Sequence, residues 1–255
     1  PHIWDEDLQE YNNPLPAWWL NMLLITIVWG LIYLVLYPGL GSFSGTLGWT
    51  SKGQYEAEMA QAAESYGPLY ARYAATDLES LAKDPDAMRT AERLYASYCA
   101  TCHGSDARGA VGFPNLRDGD WLWGGEPAII KQTIANGRFA VMPAWGVPLG
   151  GDEGVADVAE YVISLSGREV DAARLESGRQ KFAMFCSGCH GPTGTGNPIM
   201  GAPNLTDATW LYGGSRGVIR KSIASGRNGR MPAHGEFLGD DKVHLLAAYV
   251  LSLAK

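Results

Sequence analysis

The sharpest change in the pattern of apolar and polar positions falls near the start of the chain. From Ala17 to Tyr37 the residues are apolar almost without interruption, with Asn21 and Thr26 the clearly polar members. As a helix this run rises about 30 Å, the thickness of a bilayer's hydrocarbon core. Trp18 and Trp19 open it and Tyr33 and Tyr37 close it, where amphipathic rings sit at headgroup level. A secretory signal needs a positive lead and a shorter apolar stretch, yet no Lys or Arg precedes Lys52. A buried core helix of this length would carry a polar stripe, and none is present. The pattern therefore predicts one transmembrane helix over 17–37, behind a tail at 1–16. The chain opens on Pro1 rather than Met, which leaves room for an upstream segment.

After the apolar run the pattern becomes helical with polar punctuation. Residues 38–53 read as a Gly/Ser-rich linker. Residues 54–83 read as an amphipathic helix interrupted at Gly67-Pro68, so that 38–85 forms a linker and brace. Residues 86–98 place Ala87, Ala91, Leu94, Tyr95 and Tyr98 at the spacing of one helix face. Residues 173–185 repeat that lead-in. Helices at about 153–166 and 241–254 follow Asp152 and Asp240–Asp241, read as acidic caps. Between them lie Gly- and Pro-rich loops with no period-two strand pattern.

The second half of the chain repeats the first. Cys99-Ala-Thr-Cys102-His103-Gly104 answers Cys186-Ser-Gly-Cys189-His190-Gly191, and Pro114-Asn-Leu116 answers Pro203-Asn-Leu205. Trp121-Leu-Trp-Gly-Gly125 matches Trp210-Leu-Tyr-Gly-Gly214, and Met142-Pro-Ala144 matches Met231-Pro-Ala233. The expected fold class is all-α: the transmembrane helix, then two tandem class I cytochrome c-like domains at 86–167 and 168–255. Units this small and rich in loops seldom hold together without a staple or a large cofactor.

Cys-x-x-Cys-His supplies that cofactor. It is the attachment signature of c-type haem, with two thioethers to the porphyrin and the following His as an iron ligand. Two occurrences consume all four cysteines of the chain. Zinc knuckle pairs lie much closer together than Cys102 and Cys186, and disulfides would not explain a His after each pair. The reading is two covalently attached haem c groups, on Cys99, Cys102 and His103 and on Cys186, Cys189 and His190.

A c-type iron commonly takes Met as its sixth ligand. Met142 and Met231 are the methionine pair that the repeat superposes, each before a Pro. Each follows its copy's His far enough to wrap the ring, which pairs His103 with Met142 and His190 with Met231. His234, whose counterpart is Trp145, is the rival ligand for the second haem. Arg138 and Arg227 read either as partners of haem propionates or as surface residues. Trp121 and Trp210 read either as haem-edge packing or as plain core. With six-coordinate irons no position is open to substrate, so the chain is expected to carry electrons and not to catalyse.

Charge adds asymmetry. The net charge is −7. Residues 86–167 hold six Lys/Arg against ten Asp/Glu, whereas 168–255 hold eleven against seven. No basic stretch suggests a nucleic-acid partner. The first sixteen residues contain four acids and no base, so the positive-inside rule does not orient the anchor. Haem c is normally attached outside the cytoplasm. That puts the domains in a bacterial periplasm, on a single-pass anchor in the inner membrane.

At this point the chain resembles a known family, the dihaem subunit (CcoP/FixP type) of cbb3-type cytochrome c oxidases. The likeness rests on Glu10-Tyr-Asn-Asn-Pro-Leu-Pro-Ala-Trp-Trp19 before the anchor and Leu34-Val-Leu-Tyr-Pro-Gly-Leu-Gly41 after it. Tyr66-Gly-Pro-Leu-Tyr70, Gly112-Phe-Pro-Asn-Leu116, Met142-Pro-Ala-Trp-Gly146 and Gly226-Arg-Asn-Gly-Arg-Met-Pro-Ala233 extend it. The resemblance implies that electrons pass from soluble or membrane donor cytochrome c to a monohaem cytochrome c subunit and a catalytic haem-copper subunit. The competing reading is a membrane-anchored dihaem cytochrome serving another periplasmic dehydrogenase or reductase.

Overall fold

The apolar run folds as predicted in the computed structural model, which describes residues 3–9, 11 and 13–254. Helix α1 spans Ala17–Leu36, and none of its residues is buried by the rest of the chain. Side chains apolar on every face and left uncovered by protein need lipid around them. The polar Thr26 hydroxyl is satisfied inside the helix, donating to the Leu23 carbonyl at 2.8 Å. Before α1, strands β1 (Ile3–Trp4) and β2 (Leu8–Gln9) pair antiparallel. Glu10 and Asn12 of the pre-anchor motif, and Pro1, His2 and Lys255 at the ends, lie outside the described residues.

Two compact units divide the chain, Pro1–Gly67 and Pro68–Lys255. Helix α2 covers Ser51–Ala74 with Pro68 inside it, so the break expected at Gly67-Pro68 does not occur. A proline costs a helix its own amide hydrogen bond, and here the helix continues past it. The chain turns instead at Thr76-Asp77, where Asp77 accepts from the Ser80 amide at 2.9 Å and caps α3 (Leu78–Leu81).

Within the second unit the first copy supplies α4 (Pro85–Tyr98), α5 (Ala100–His103), α6 (Pro127–Asn136), β3 (Arg138–Met142) and α7 (Asp152–Leu165). The second copy supplies α8 (Ala172–Phe185), α9 (Ser187–His190), α10 (Arg216–Ser225), β4 (Arg227–Met231), α11 (Gly235–Leu238) and α12 (Asp240–Leu253). Local chemistry explains the helix starts. Asp84 accepts from the amides of Asp86 and Ala87, with Pro85 at the first helical position of α4. Asp171 does the same for α8 through Ala173. Gly151 and Gly239, not the expected aspartates, are the caps of α7 and α12. Asp152 and Asp240–Asp241 sit in the first turn, where their charge favours the helix N-terminus.

The structure is mostly helical and departs from all-α in the β1–β2 pair and, more consequentially, in a second ribbon. Strands β3 and β4 pair antiparallel, with Arg138 opposite Met231, Ala140 opposite Gly229 and Met142 opposite Arg227. Beyond the ribbon each copy continues into the other's territory. The Trp145 and Gly146 amides donate to the carbonyls of Ile223 and Ala224 at the end of α10, and the His234 amide donates to Ile134 on α6. As a result α7 packs mainly on α8 and α10, while α12 packs on α4, α6 and α3.

Two cores follow. One joins Val155, Val158, Val162 and Ile163 of α7 to Phe182 and Cys186 of α8 and to Ile219 and Ile223 of α10. The other joins Tyr95, Ile130 and Ile134 of the first copy to Leu238, Val243, Leu246 and Val250 of the second. Each fully buried Ile or Phe in these cores stabilises the fold by about 1.5–3 kcal/mol. Gly178 lets α8 approach α7 closely, since a side chain there would strike the Asp157 carbonyl. A third core seats Tyr73 and Leu81 of the brace on Ala87, Ala91, Leu245 and Ala248.

Candidate functional site

Each Cys-x-x-Cys-His forms a single helical turn directly after its lead-in helix, Cys99 and Cys186 ending α4 and α8. That turn places both cysteines and the His on one short segment, with Cys102 and Cys189 exposed and Cys99 and Cys186 set into the cores. Burial pushes the thiols of Cys99 and Cys186 up to about 11.

The two histidines are held identically. His103 Nδ1 donates to the Pro114 carbonyl at 2.9 Å, and His190 Nδ1 donates to the Pro203 carbonyl at 3.1 Å. This fixes the tautomer and turns Nε2 away from the backbone, as a metal-ligating imidazole requires. Burial lowers the pKa of both rings and favours the neutral, ligating form; at His103 the charge of His234 adds to the effect. The repeated Pro-Asn-Leu segments are thus the orienting partners of both histidines. Their repetition was the available signal.

Each of the two repeated methionines packs on the core that holds the other copy's first cysteine. Met142 and Trp210 both pack on the core that contains Cys186, and Met231, Cys99 and Trp121 all pack on the other. The β3–β4 ribbon, which ends each strand on its Met, carries each Met across to that core. Met184 and Met200, by contrast, stay on the surface at 75% and 50% exposure. His234 travels with Met231 to the first site, not to the second. Its ring meets that of Phe237 at a tilt, centroids 5.5 Å apart, and its Nδ1 is buried without a partner among the described residues. His244 instead joins its Nε2 to the Thr76 carbonyl at 2.8 Å, a link between α12 and the turn before α3.

Arginine and tryptophan complete each site. Arg138 donates from Nε to Thr133 and lies over the Trp123 ring at 4.8 Å. Arg227 donates to Ser222 and lies over Tyr212 at 4.3 Å. Both guanidinium groups are thereby oriented with donors to spare. Trp121 and Trp210 pack on the cores against Gly125 and Gly214, where any side chain would overlap the indole. Neither indole N–H has a hydrogen-bond partner among the described residues. Gly137 and Gly226 carry φ of +69° and +72°, and a side chain on either would strike the Met-Pro-Ala backbone of the other copy. Glycine is required there on both counts.

The residues fit a haem. Among the described residues no three His, Cys, Asp or Glu side chains gather to cage a bare ion. A porphyrin brings four in-plane nitrogens of its own, so each site needs only an axial pair, and a His and a Met are present at each. A helical domain with Cys-x-x-Cys-His turns, locked histidines and convergent methionines is a c-type cytochrome, here with a membrane anchor.

Comparison with known proteins agrees. Residues 1–44 match the model of the N-terminal domain of cytochrome oxidase-cbb3, FixP, and residues 86–162 and 173–250 match that of cytochrome c oxidase, cbb3-type, subunit III. A cbb3-type cytochrome c oxidase subunit CcoP from Rubrivivax gelatinosus is 50% identical over 254 residues, covering 100% of this chain and 83% of the relative. A CcoP from Cereibacter sphaeroides is 37% identical, with 99% of this chain and 93% of the relative covered. A FixP from Azorhizobium caulinodans is 39% identical, with 99% and 91% covered. The chain belongs to the CcoP/FixP subunit family of cbb3-type cytochrome c oxidases.

Proposed function

We propose that this chain is the electron-transferring subunit of a cbb3-type oxidase and carries two covalent haem c groups. Cys99 and Cys102 attach the first, between His103 and Met231. Cys186 and Cys189 attach the second, between His190 and Met142. When bound, haem c supplies a one-electron ferric–ferrous couple, which methionine ligation biases toward higher potential. The observation that carries the reading is that each Met packs on the core holding the other copy's first cysteine, while the His of each motif is locked by a proline carbonyl.

The protein's own part is positional. Pro114 and Pro203 hold the imidazoles, the ribbon delivers the methionines, and the two cores exclude water from the axial ligands. Trp121 and Trp210 offer unpartnered indole N–H groups, and Arg138 and Arg227 offer oriented guanidinium groups, to the haem carboxylates. With His and Met assigned at both sites, no coordination position remains for a substrate. The chain transfers electrons and leaves oxygen chemistry to a partner. Each half is a c-type domain completed by the other half.

Donor cytochrome c, soluble or membrane-bound, delivers electrons. A monohaem subunit and a catalytic haem-copper subunit receive them. Helix α1 anchors the chain in the bacterial inner membrane as a single pass. Residues 38–255 lie in the periplasm, where haem c is attached. Purification in mild detergent followed by a pyridine haemochrome spectrum tests this. Haem b together with more than two haem c per copy of this chain is expected; two haem c and no haem b from an intact preparation overturn the oxidase assignment.

A further inference from the structure

The repeated segments Trp121-Leu-Trp-Gly-Gly125 and Trp210-Leu-Tyr-Gly-Gly214 carry a second aromatic each, Trp123 and Tyr212, to which the haem reading gives no task. Each is held by the arginine of its own copy, Arg138 over Trp123 at 4.8 Å and Arg227 over Tyr212 at 4.3 Å. Each also reaches a glycine of the other copy. Gly201 is buried, and a side chain on it would overlap the Trp123 ring. A Cβ on Gly112 would lie 3.3 Å from the Tyr212 ring, and the Gly112 amide donates to the Leu211 carbonyl at 2.8 Å. Both glycines belong to the loops that hold the histidines. The loop after His103 closes where Ala110 and Phe113 exchange backbone hydrogen bonds, and the next residue, Pro114, accepts from His103. The loop after His190 closes between Asn197 and Ala202, and the next residue, Pro203, accepts from His190. A loop closed on itself by backbone hydrogen bonds passes a displacement at its glycine to the adjoining proline carbonyl.

We propose that Trp123 positions His190 and Tyr212 positions His103, each aromatic bracing, from the other copy, the loop whose proline carbonyl orients the imidazole. This rests on the reading that both sites hold haem c with these histidines as ligands. The two aromatics act through the loops, so both are positioning residues. An imidazole that donates from Nδ1 is a more basic ligand, which favours ferric iron and lowers the potential. The brace keeps that hydrogen bond short. A loop released from its aromatic lets the bond lengthen, and the potential of its haem rises. The effect crosses between copies: Trp123 lies in the first copy's sequence and acts on the second copy's haem.

The test is a site-resolved potentiometric titration of the full chain in detergent, followed in the visible spectrum. Cys186→Ser/Cys189→Ser isolates the first haem for assignment, and Cys99→Ser/Cys102→Ser isolates the second. Trp123→Leu should raise the midpoint potential of the second haem, and Tyr212→Leu that of the first. Trp123→Tyr, which supplies the aromatic found at the equivalent place in the other copy, should bring the second haem back near its wild-type value. A second potential that is unmoved or falls in Trp123→Leu, with both haems attached and low-spin, overturns the proposal. So does a Trp123→Tyr chain shifted as far as Trp123→Leu. If Trp123→Leu does not assemble, Tyr212→Leu decides by the same criteria on the first haem. Failure of the underlying site reading is distinguishable, because it shows as a haemochrome count below two haem c per wild-type chain before any variant is titrated.

Discussion

Orientation of a single imidazole is the smallest feature on which this protein depends. The hydrogen bonds from His103 to Pro114 and from His190 to Pro203 leave one nitrogen of each ring for iron. The cysteines and histidines were legible in sequence because the attachment motif is local: five consecutive residues hold its whole geometry. The proline carbonyls were not, because a backbone acceptor has no side-chain signature. The repeated methionines were legible as residues, but the core on which each one packs was not. In the Cys186→Ser/Cys189→Ser chain, which keeps the first haem only, Met231→Ala is expected to abolish the far-red methionine–iron charge-transfer band. Met142→Ala should leave it intact. The opposite result would mean that each copy uses its own Met.

At the scale of elements, the contact between α7 and α8 is held by carboxylates buried among bases. Asp157, 15% exposed, accepts from Arg174 at 2.9 Å, Ser177 at 2.8 Å and Lys181 at 2.9 Å. Glu160 accepts from Arg216 at 2.7 and 3.1 Å and from the Asp171 amide at 3.0 Å. Partial burial pushes Asp157 up, but the hydrogen bonds from Lys181, Ser177 and Arg174 outweigh it and hold the carboxyl below its ordinary value. Hydrogen bonding from Arg216 holds Glu160 below its own. Carboxyls depressed in the folded state stabilise it fully above their unfolded values, about 3.9 for Asp and 4.3 for Glu, and that stability is lost as pH falls through the folded values. Acid unfolding followed by far-ultraviolet circular dichroism should therefore become less steep with pH in Asp157→Asn/Glu160→Gln. An unaltered acid profile would remove these groups from the account. The helices themselves were foreseeable, since caps and a 3.6-residue apolar period are local. Strands β3 and β4 were not: Arg-Phe-Ala-Val-Met and Arg-Asn-Gly-Arg-Met have no shared alternation, and each becomes a strand only because the other lies beside it.

At the scale of the whole molecule, the exchange makes residues 68–255 one unit although the sequence divides near residue 167. A fragment of residues 86–167 lacks β4 and α12, which leaves Ile130, Ile134 and Ala87 without the cover that Leu246, Ala247, Leu245 and Ala248 provide. With haem attached, that fragment is expected to show no methionine–iron band and to melt without a cooperative transition. A fragment that keeps the band and melts cooperatively would return the protein to two self-sufficient domains. By itself the sequence determined the anchor, the helices, the two attachment motifs, the identity of the methionines and the family, because each is written in residue type at short spacing. The tertiary structure alone decided which core each Met packs on, and which helix covers which core. Two similar copies offer nearly the same apolar faces to themselves and to each other. The choice between them comes from the antiparallel ribbon and from Gly137 and Gly226, whose missing side chains let the backbones cross.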